Sequence, residues 1–185
     1  MRLVIQRVLE SSVTVDGKEI SRIGPGMLVL LGITQGDTPE LVKRYVNKIL
    51  KLRIWPEIPK NKPVESKQQP QENGDKNAEE EKVEAGSEVK TKPLKTWDSN
   101  VVDNNFEVMV VSQFTLYGIM KGNKPDFHKA LNPEEALKLY DNFLDVLKKS
   151  YKADKVQAGQ FGAMMSVQLV NDGPVTLILD SNDKE

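Results

Sequence analysis

The sequence contains no cysteine and only one histidine, His128. The first absence rules out disulfides, thiolate metal sites and a cysteine nucleophile. The second leaves too few nitrogen ligands for a zinc hydrolase, which draws several His, Cys or carboxylate ligands at fixed spacing, so no metal and no cofactor is expected. No G-x-S-x-G elbow is present, and no spacing recommends pairing His128 with a serine such as Ser112. His128 reads instead as a loop residue before a helix, with a structural or surface role. Gly24, Gly26 and Gly32 match neither glycine pattern that cradles phosphates, which leaves no sign of a nucleoside triphosphate site. Long apolar runs are missing as well: nothing approaches the ~18 to 20 residues of a membrane span. The opening MRLVIQRVLE carries Arg2, Arg7 and Glu10 and lacks a small-residue cleavage site, so a soluble, cytoplasmic protein is expected. A net charge of -1 gives no support to a dedicated duplex-DNA binder, and no DNA partner is expected.

What is present is enough for one core, since 185 residues with 38% hydrophobic content fit a single domain over 1–185. Residues 2–8 and 12–15 read as opening strands, with Asp16-Gly17 as a hairpin turn into residues 18–23. The run 27–33 is apolar almost throughout, as in a strand buried on both faces. Asp37 or Thr38 can cap a first helix, with Pro39 at its first position and Leu41, Val42, Tyr45, Val46 and Ile49 at helical spacing. Asn132 and Pro133 open a second helix whose apolar stripe is Leu137, Tyr140, Phe143, Leu144 and Leu147. Further strands are predicted at 106–112, 155–157, 165–170 and 175–180, giving an α+β class. From about 57 to 95 the chain turns to Lys, Glu, Gln, Asn and Pro of mixed charge, a composition that builds no core. It reads as a flexible insertion within one domain.

Two segments are polar where strands should end: Ser112-Gln113-Phe114-Thr115-Leu116, and Asn171-Asp172-Gly173-Pro174-Val175-Thr176. Taken singly, each has an ordinary reading. Phe114 and Leu116 fit a core, Thr115 and Thr176 a turn, and Pro174 a closed hairpin. Arg7 is less ordinary, because a half-buried guanidinium on an apolar strand needs a fixed acceptor to offset its desolvation. Together with Val4-Ile5-Gln6-Arg7-Val8 and Gly122-Asn123-Lys124-Pro125-Asp126-Phe127, the two segments resemble the D-aminoacyl-tRNA deacylase family in order along the chain. The resemblance covers all but the insertion, where that family has a short connection.

The resemblance implies a barrel-like core of mixed sheets with two main helices packed on one side. It implies a hydrolase of translation quality control that cuts the ester between a D-amino acid, or glycine, and the 3'-terminal adenosine of tRNA. Ser112, Gln113, Phe114 and Thr115 would form the catalytic segment, with backbone N–H groups near Phe114 and Thr115 facing the oxyanion and Gln113 holding substrate. The ribose 2'-hydroxyl would help to activate water, and Thr115 as nucleophile is the weaker alternative. The family is a homodimer in which the cis Gly173-Pro174 loop of one subunit enters the other's site and excludes L side chains, and Arg7 would support that loop. Phe161, Gly162 and Met165 would wall the adenosine pocket, with Ala130 near the substrate. Two rivals remain: a nucleic-acid-binding homodimer without turnover, and a metal- or serine-dependent esterase of small molecules.

Overall fold

The computed structural model describes residues 1–58 and 95–183. Within them lie β1 (Arg2–Val15), β2 (Lys18–Ile23), β3 (Gly26–Gly32), α1 (Pro39–Lys51) and β4 (Glu107–Ser112). A 3-10 turn (Phe114–Tyr117), β5 (Ile119–Lys121), β6 (Lys124–Asp126), α2 (Pro133–Ser150), a second 3-10 turn (Ala153–Lys155), β7 (Val156–Ala158) and β8 (Ser166–Asp180) follow. β1 is the hub. It pairs antiparallel with β3 along its first half, with β2 along its second half and with β8 along nearly all of its length. β3 pairs in parallel with β4, and β4 with β7, so the mixed sheet curls nearly into a barrel and the class is α+β.

The residues expected as two opening strands, 2–8 and 12–15, form one strand, and those expected at 165–170 and 175–180 form another. Polar residues at the middle of β1 do not break it, because Ser11 and Ser12 are buried and the Ser11 hydroxyl donates to the Gln168 carbonyl at 2.8 Å. β3 and β4 are buried on both faces, as the apolar run 27–33 predicts. Met27, Val29, Leu31, Val108 and Val110 face a core shared with the helices, while Leu28, Met109 and Val111 face the barrel interior with Val8, Val13 and Ile23. That division follows the two-residue period of a strand. The two strands approach closely at Gly26, where a Cβ would lie 1.9 Å from the Glu107 carbonyl oxygen.

Thr38, not Asp37, caps α1, its hydroxyl accepting from the Leu41 amide at 3.4 Å. Asp37 has other work: its carboxylate ion-pairs with the Met1 amino group and accepts from the Thr34 amide at 2.8 Å. α2 is capped by Asn132, which accepts from the Glu135 amide at 3.0 Å. Both helices bury one apolar stripe against the sheet, and burying Phe143 alone contributes roughly 2 to 3 kcal/mol. Leu137 departs from the predicted stripe and is exposed.

The polar insertion expected at about 57–95 lies outside the described residues apart from Glu57, Ile58 and Lys95. Its two ends meet. Trp55 bridges Ser99 antiparallel, the Glu57 amide donates to the Lys95 carbonyl at 2.8 Å, and the Ser99 hydroxyl donates to the Pro56 carbonyl at 2.6 Å. This neck returns the chain to β4 beside the place it left.

Candidate active site

Because β3 and β4 run parallel, their carboxyl ends reach the same edge of the sheet, and the chain leaves β4 there in a tight turn. The Gln113 amide fixes that exit by donating to the Leu31 carbonyl at 2.8 Å. A run expected to end as a strand instead winds into the 3-10 turn Phe114–Tyr117, with Gln113 before it giving no side-chain cap. The opening amides of such a turn have no acceptor within it. Among the described residues, the Phe114 and Thr115 amides donate to nothing.

A cavity of about 430 Å³ opens at this edge, within the range of small-molecule sites. Its walls are Leu31 and Ile33 from the end of β3, Ser112, Gln113 and Phe114, Phe127 and Ala130, the start of α2 from Asn132 to Ala136, and Phe161 with Gly162. Sequence-predicted residues Ser112, Gln113, Phe114, Ala130, Phe161 and Gly162 therefore meet around one space. Phe114 is 59% exposed and stacks edge-on against Phe127 at 5.0 Å, so it is no core residue in the single chain. Gln113 donates to the Thr115 hydroxyl at 2.5 Å. No carboxylate or imidazole among the described residues bonds to Ser112 or Thr115. Met165 is not part of the cavity wall; it packs on the barrel core and approaches Gly159.

Two contributors escape a reading of sequence alone. Tyr140 looks like one more member of the helical stripe, yet its hydroxyl donates to the Val110 carbonyl at 2.9 Å and its ring packs 5.5 Å from Phe161. Burial raises its phenol above the usual range, so it stays protonated and holds that wall to β4. Phe127 lies in a family-like stretch but carries no local sign that it faces the cavity.

Arg7, Gly173 and Pro174 sit elsewhere, where β8 bulges away from β1. Gln6 pairs with Thr176 and Val8 with Asn171, so two steps along β1 span five along β8, leaving three extra residues. The bulge carries the Gly173–Pro174 cis peptide, with both residues exposed and Gly173 at φ +118. Asn171 closes its base: the side-chain amide donates to the Arg7 carbonyl at 2.8 Å and the Val175 carbonyl at 3.0 Å. The Thr176 hydroxyl lies 3.4 Å from the Asn171 side-chain oxygen. Arg7, 13% exposed, sets its Nε 2.9 Å from Asp172 Oδ2 and donates through Nη1 to the Ile54 carbonyl. The Asp172 contact is an ion pair rather than an aligned hydrogen bond, since Nε has no directed acceptor. Arg7 thus ties the bulge to the residue before the insertion neck.

Sequence and fold are those of one class of hydrolase: a family model described as D-Tyr-tRNA(Tyr) deacylase matches residues 4–75 and 71–180, and the chain belongs to that family. A D-aminoacyl-tRNA deacylase of Dictyostelium discoideum is 43% identical over 100% of both chains. Human D-aminoacyl-tRNA deacylase 1 is 40% identical over 98% of this chain and 70% of its own length. A solved structure named c-Myc DNA Unwinding Element Binding Protein superposes with a TM-score of 0.76 at 39% identity, covering 99% of this chain and 100% of that one. A further structure, "Structural Analysis of a probable eukaryotic D-amino acid tRNA deacylase", has a TM-score of 0.66 at 16% identity over 96% and 97%, a likeness of fold. Among the described residues, no helix is long and apolar enough to cross a membrane.

Proposed function

We propose that this chain removes D-amino acids from tRNA in the cytoplasm by hydrolysing their ester to the 3'-terminal adenosine, working as a homodimer. The observation that carries the reading is the uncapped 3-10 turn at Phe114 and Thr115, opening on a cavity walled by Ser112, Gln113 and Phe114. An aminoacyl ester is labile enough that positioning and oxyanion stabilisation can supply most of the rate. Two free amides at 114 and 115 are suited to the developing negative charge, Gln113 to holding the substrate, and the ribose 2'-hydroxyl to activating water. Phe161 and Gly162 form the wall for the terminal adenosine, with Ala130 beside the aminoacyl group.

Selectivity is assigned to the exposed Gly173–Pro174 bulge, which belongs in the cavity of a second copy. Support comes from its position: neither residue lines the cavity of its own chain. Backbone carbonyls there would receive the α-amino group and leave no room for an L side chain, so D-amino acids are accepted and glycine with them.

The decisive experiment follows ester loss from matched D- and L-aminoacyl-tRNA. Turnover of the D substrate alone supports the reading. Retardation without turnover supports nucleic-acid binding alone, the reading favoured by the 39% identity to the structure named for DNA binding. Hydrolysis of simple esters without tRNA would point to a small-molecule esterase.

Thr115 accepts a hydrogen bond and has no base beside it, which disfavours it as nucleophile. Thr115→Ala is expected to keep kcat/KM within about tenfold, since removing a true nucleophile costs several orders of magnitude. A folded variant with no measurable deacylation would restore the covalent route.

A further inference from the structure

The family-like stretch from Gly122 to Phe127 reaches the cavity only through Phe127, and residues Gly122 to Asp126 have no part in the reaction described above. Most of it belongs to a ribbon, β5 against β6, that forms a sheet of its own apart from the main one. A two-stranded ribbon has little stability by itself in water. This one adds nothing to the core, since Met120 is 63% exposed and Lys121 and Lys124 are exposed as well. Lys121 and Lys124 are direct cross-strand partners around the Gly122-Asn123 turn. Like charges in that register destabilise the ribbon unless something negative lies between or above them. Asp126 ion-pairs with Lys121 and lies within hydrogen-bond reach of the His128 backbone amide and Nδ1, but Lys124 and Lys129 form no ion pair among the described residues. Lysine 121 and His128 hold the Asp126 carboxyl well below the usual carboxylate range, so it stays fully ionised and committed to them.

The position of this cationic tip gives it a use. β6 leads straight into Phe127 and Ala130, both in the cavity wall, with Lys129 exposed between them. A substrate with its ester in the cavity carries its nearest fixed negative charges on the phosphates of its last nucleotides. We propose that the β5–β6 ribbon grips the phosphate backbone of the tRNA acceptor end beside the cavity, through Lys124 with Lys121 and Lys129. The inference rests on the deacylase reading. Flexible point charges of this kind position a backbone without reading its sequence, and the grip therefore serves binding rather than chemistry.

The test uses the full chain with Lys124→Ala and Lys129→Ala combined, which leaves the Lys121–Asp126 pair in place. Affinity for uncharged tRNA should fall about tenfold, and the slope of log Kd against log salt should shrink by about 1 to 2. KM for D-aminoacyl-tRNA should rise about tenfold with kcat within about twofold. A D-aminoacyl ester of adenosine, which has the same bond and no phosphate chain, should be cleaved equally by variant and parent. Lys124→Arg with Lys129→Arg should bind tRNA as the parent does. Unchanged tRNA affinity and salt slope would overturn the proposal, as would equal losses on both substrates, which would mean that the ribbon shapes the cavity. If the parent cleaves neither ester, the deacylase reading fails by itself, and the uncharged-tRNA measurement still decides the ribbon's role.

Discussion

Gly173→Ala is expected to lower kcat/KM on D-aminoacyl-tRNA by about two orders of magnitude while the protein remains folded. Gly173 has φ +118, a region that L side chains rarely adopt, and holding alanine there costs roughly 1 to 3 kcal/mol. Space is short as well. A Cβ would meet Val175 Cγ2 at 2.7 Å, and Arg7 Nη2 and the Val175 amide nitrogen at 3.1 Å. The valine methyl can swing aside, but the amide belongs to the backbone of the bulge, so relief requires the bulge itself to move. Displacement of about 1 Å in a group that positions substrate is enough for the predicted loss. The rest of β8 pairs with β1 independently of this residue, which is why the fold should survive. Steady-state kinetics with a circular-dichroism control would check it, and wild-type rates would remove the bulge from the mechanism. The same variant tests the cross-subunit arrangement. Mixed with Ala130→Phe, which fills the cavity, it should regain roughly a quarter of parental activity, because random mixed dimers hold one competent site in two. No recovery after exchange would mean that each bulge serves its own chain.

Arg7→Ala should reduce the preference for D over L substrates by about tenfold, a change of about 1.4 kcal/mol, while retaining measurable D activity. The guanidinium joins Asp172 on the bulge to the Ile54 carbonyl on the neck. Without it, the half-exposed Asp172 carboxylate turns to water and the bulge keeps only the Asn171 staple at its base. A looser bulge admits L side chains before it stops admitting D ones, so discrimination falls further than rate. Arg7→Lys should rescue little, since an ammonium lacks the planar fork that reaches two acceptors in different directions. Rates on matched D- and L-aminoacyl-tRNA decide the matter, and an unchanged ratio would place selectivity elsewhere.

The contrast between the two regions also shows what a sequence makes legible. Thr38-Pro39 and Asn132-Pro133 announce the helices because capping is a local interaction, settled within four residues. The apolar run of β3 announces burial on both faces for a similar reason. The bulge is different. Its Gly-Pro reads as a turn between two strands, whereas β8 continues through it, held by Asn171 reaching the Arg7 carbonyl 164 positions away in sequence. No local pattern encodes that bond. The 3-10 turn at Phe114 was likewise hidden, because its winding depends on the Leu31 carbonyl capturing Gln113 from the neighbouring strand. Motif order along the chain identified these segments, and only tertiary contacts explain their shapes.

The closed neck at Trp55 and Ser99 brings the two ends of the insertion together, so the fold is expected to depend little on its contour length. Chain emerging after Glu57 re-enters at Lys95 across a single backbone hydrogen bond, so whatever lies between closes a loop whose entropic cost rises by only about 0.6 kcal/mol per doubling of length. Replacing residues 60–92 by a short Gly/Ser connection is therefore expected to leave the register of every described strand unchanged. Mechanically the neck is not so insulated: the carbonyl of Ile54, one residue inside it, accepts from the arginine that is ion-paired to the Gly173–Pro174 bulge. A load pulling the two ends of the neck apart would act on that carbonyl and reach the bulge through Arg7 before it reached the barrel.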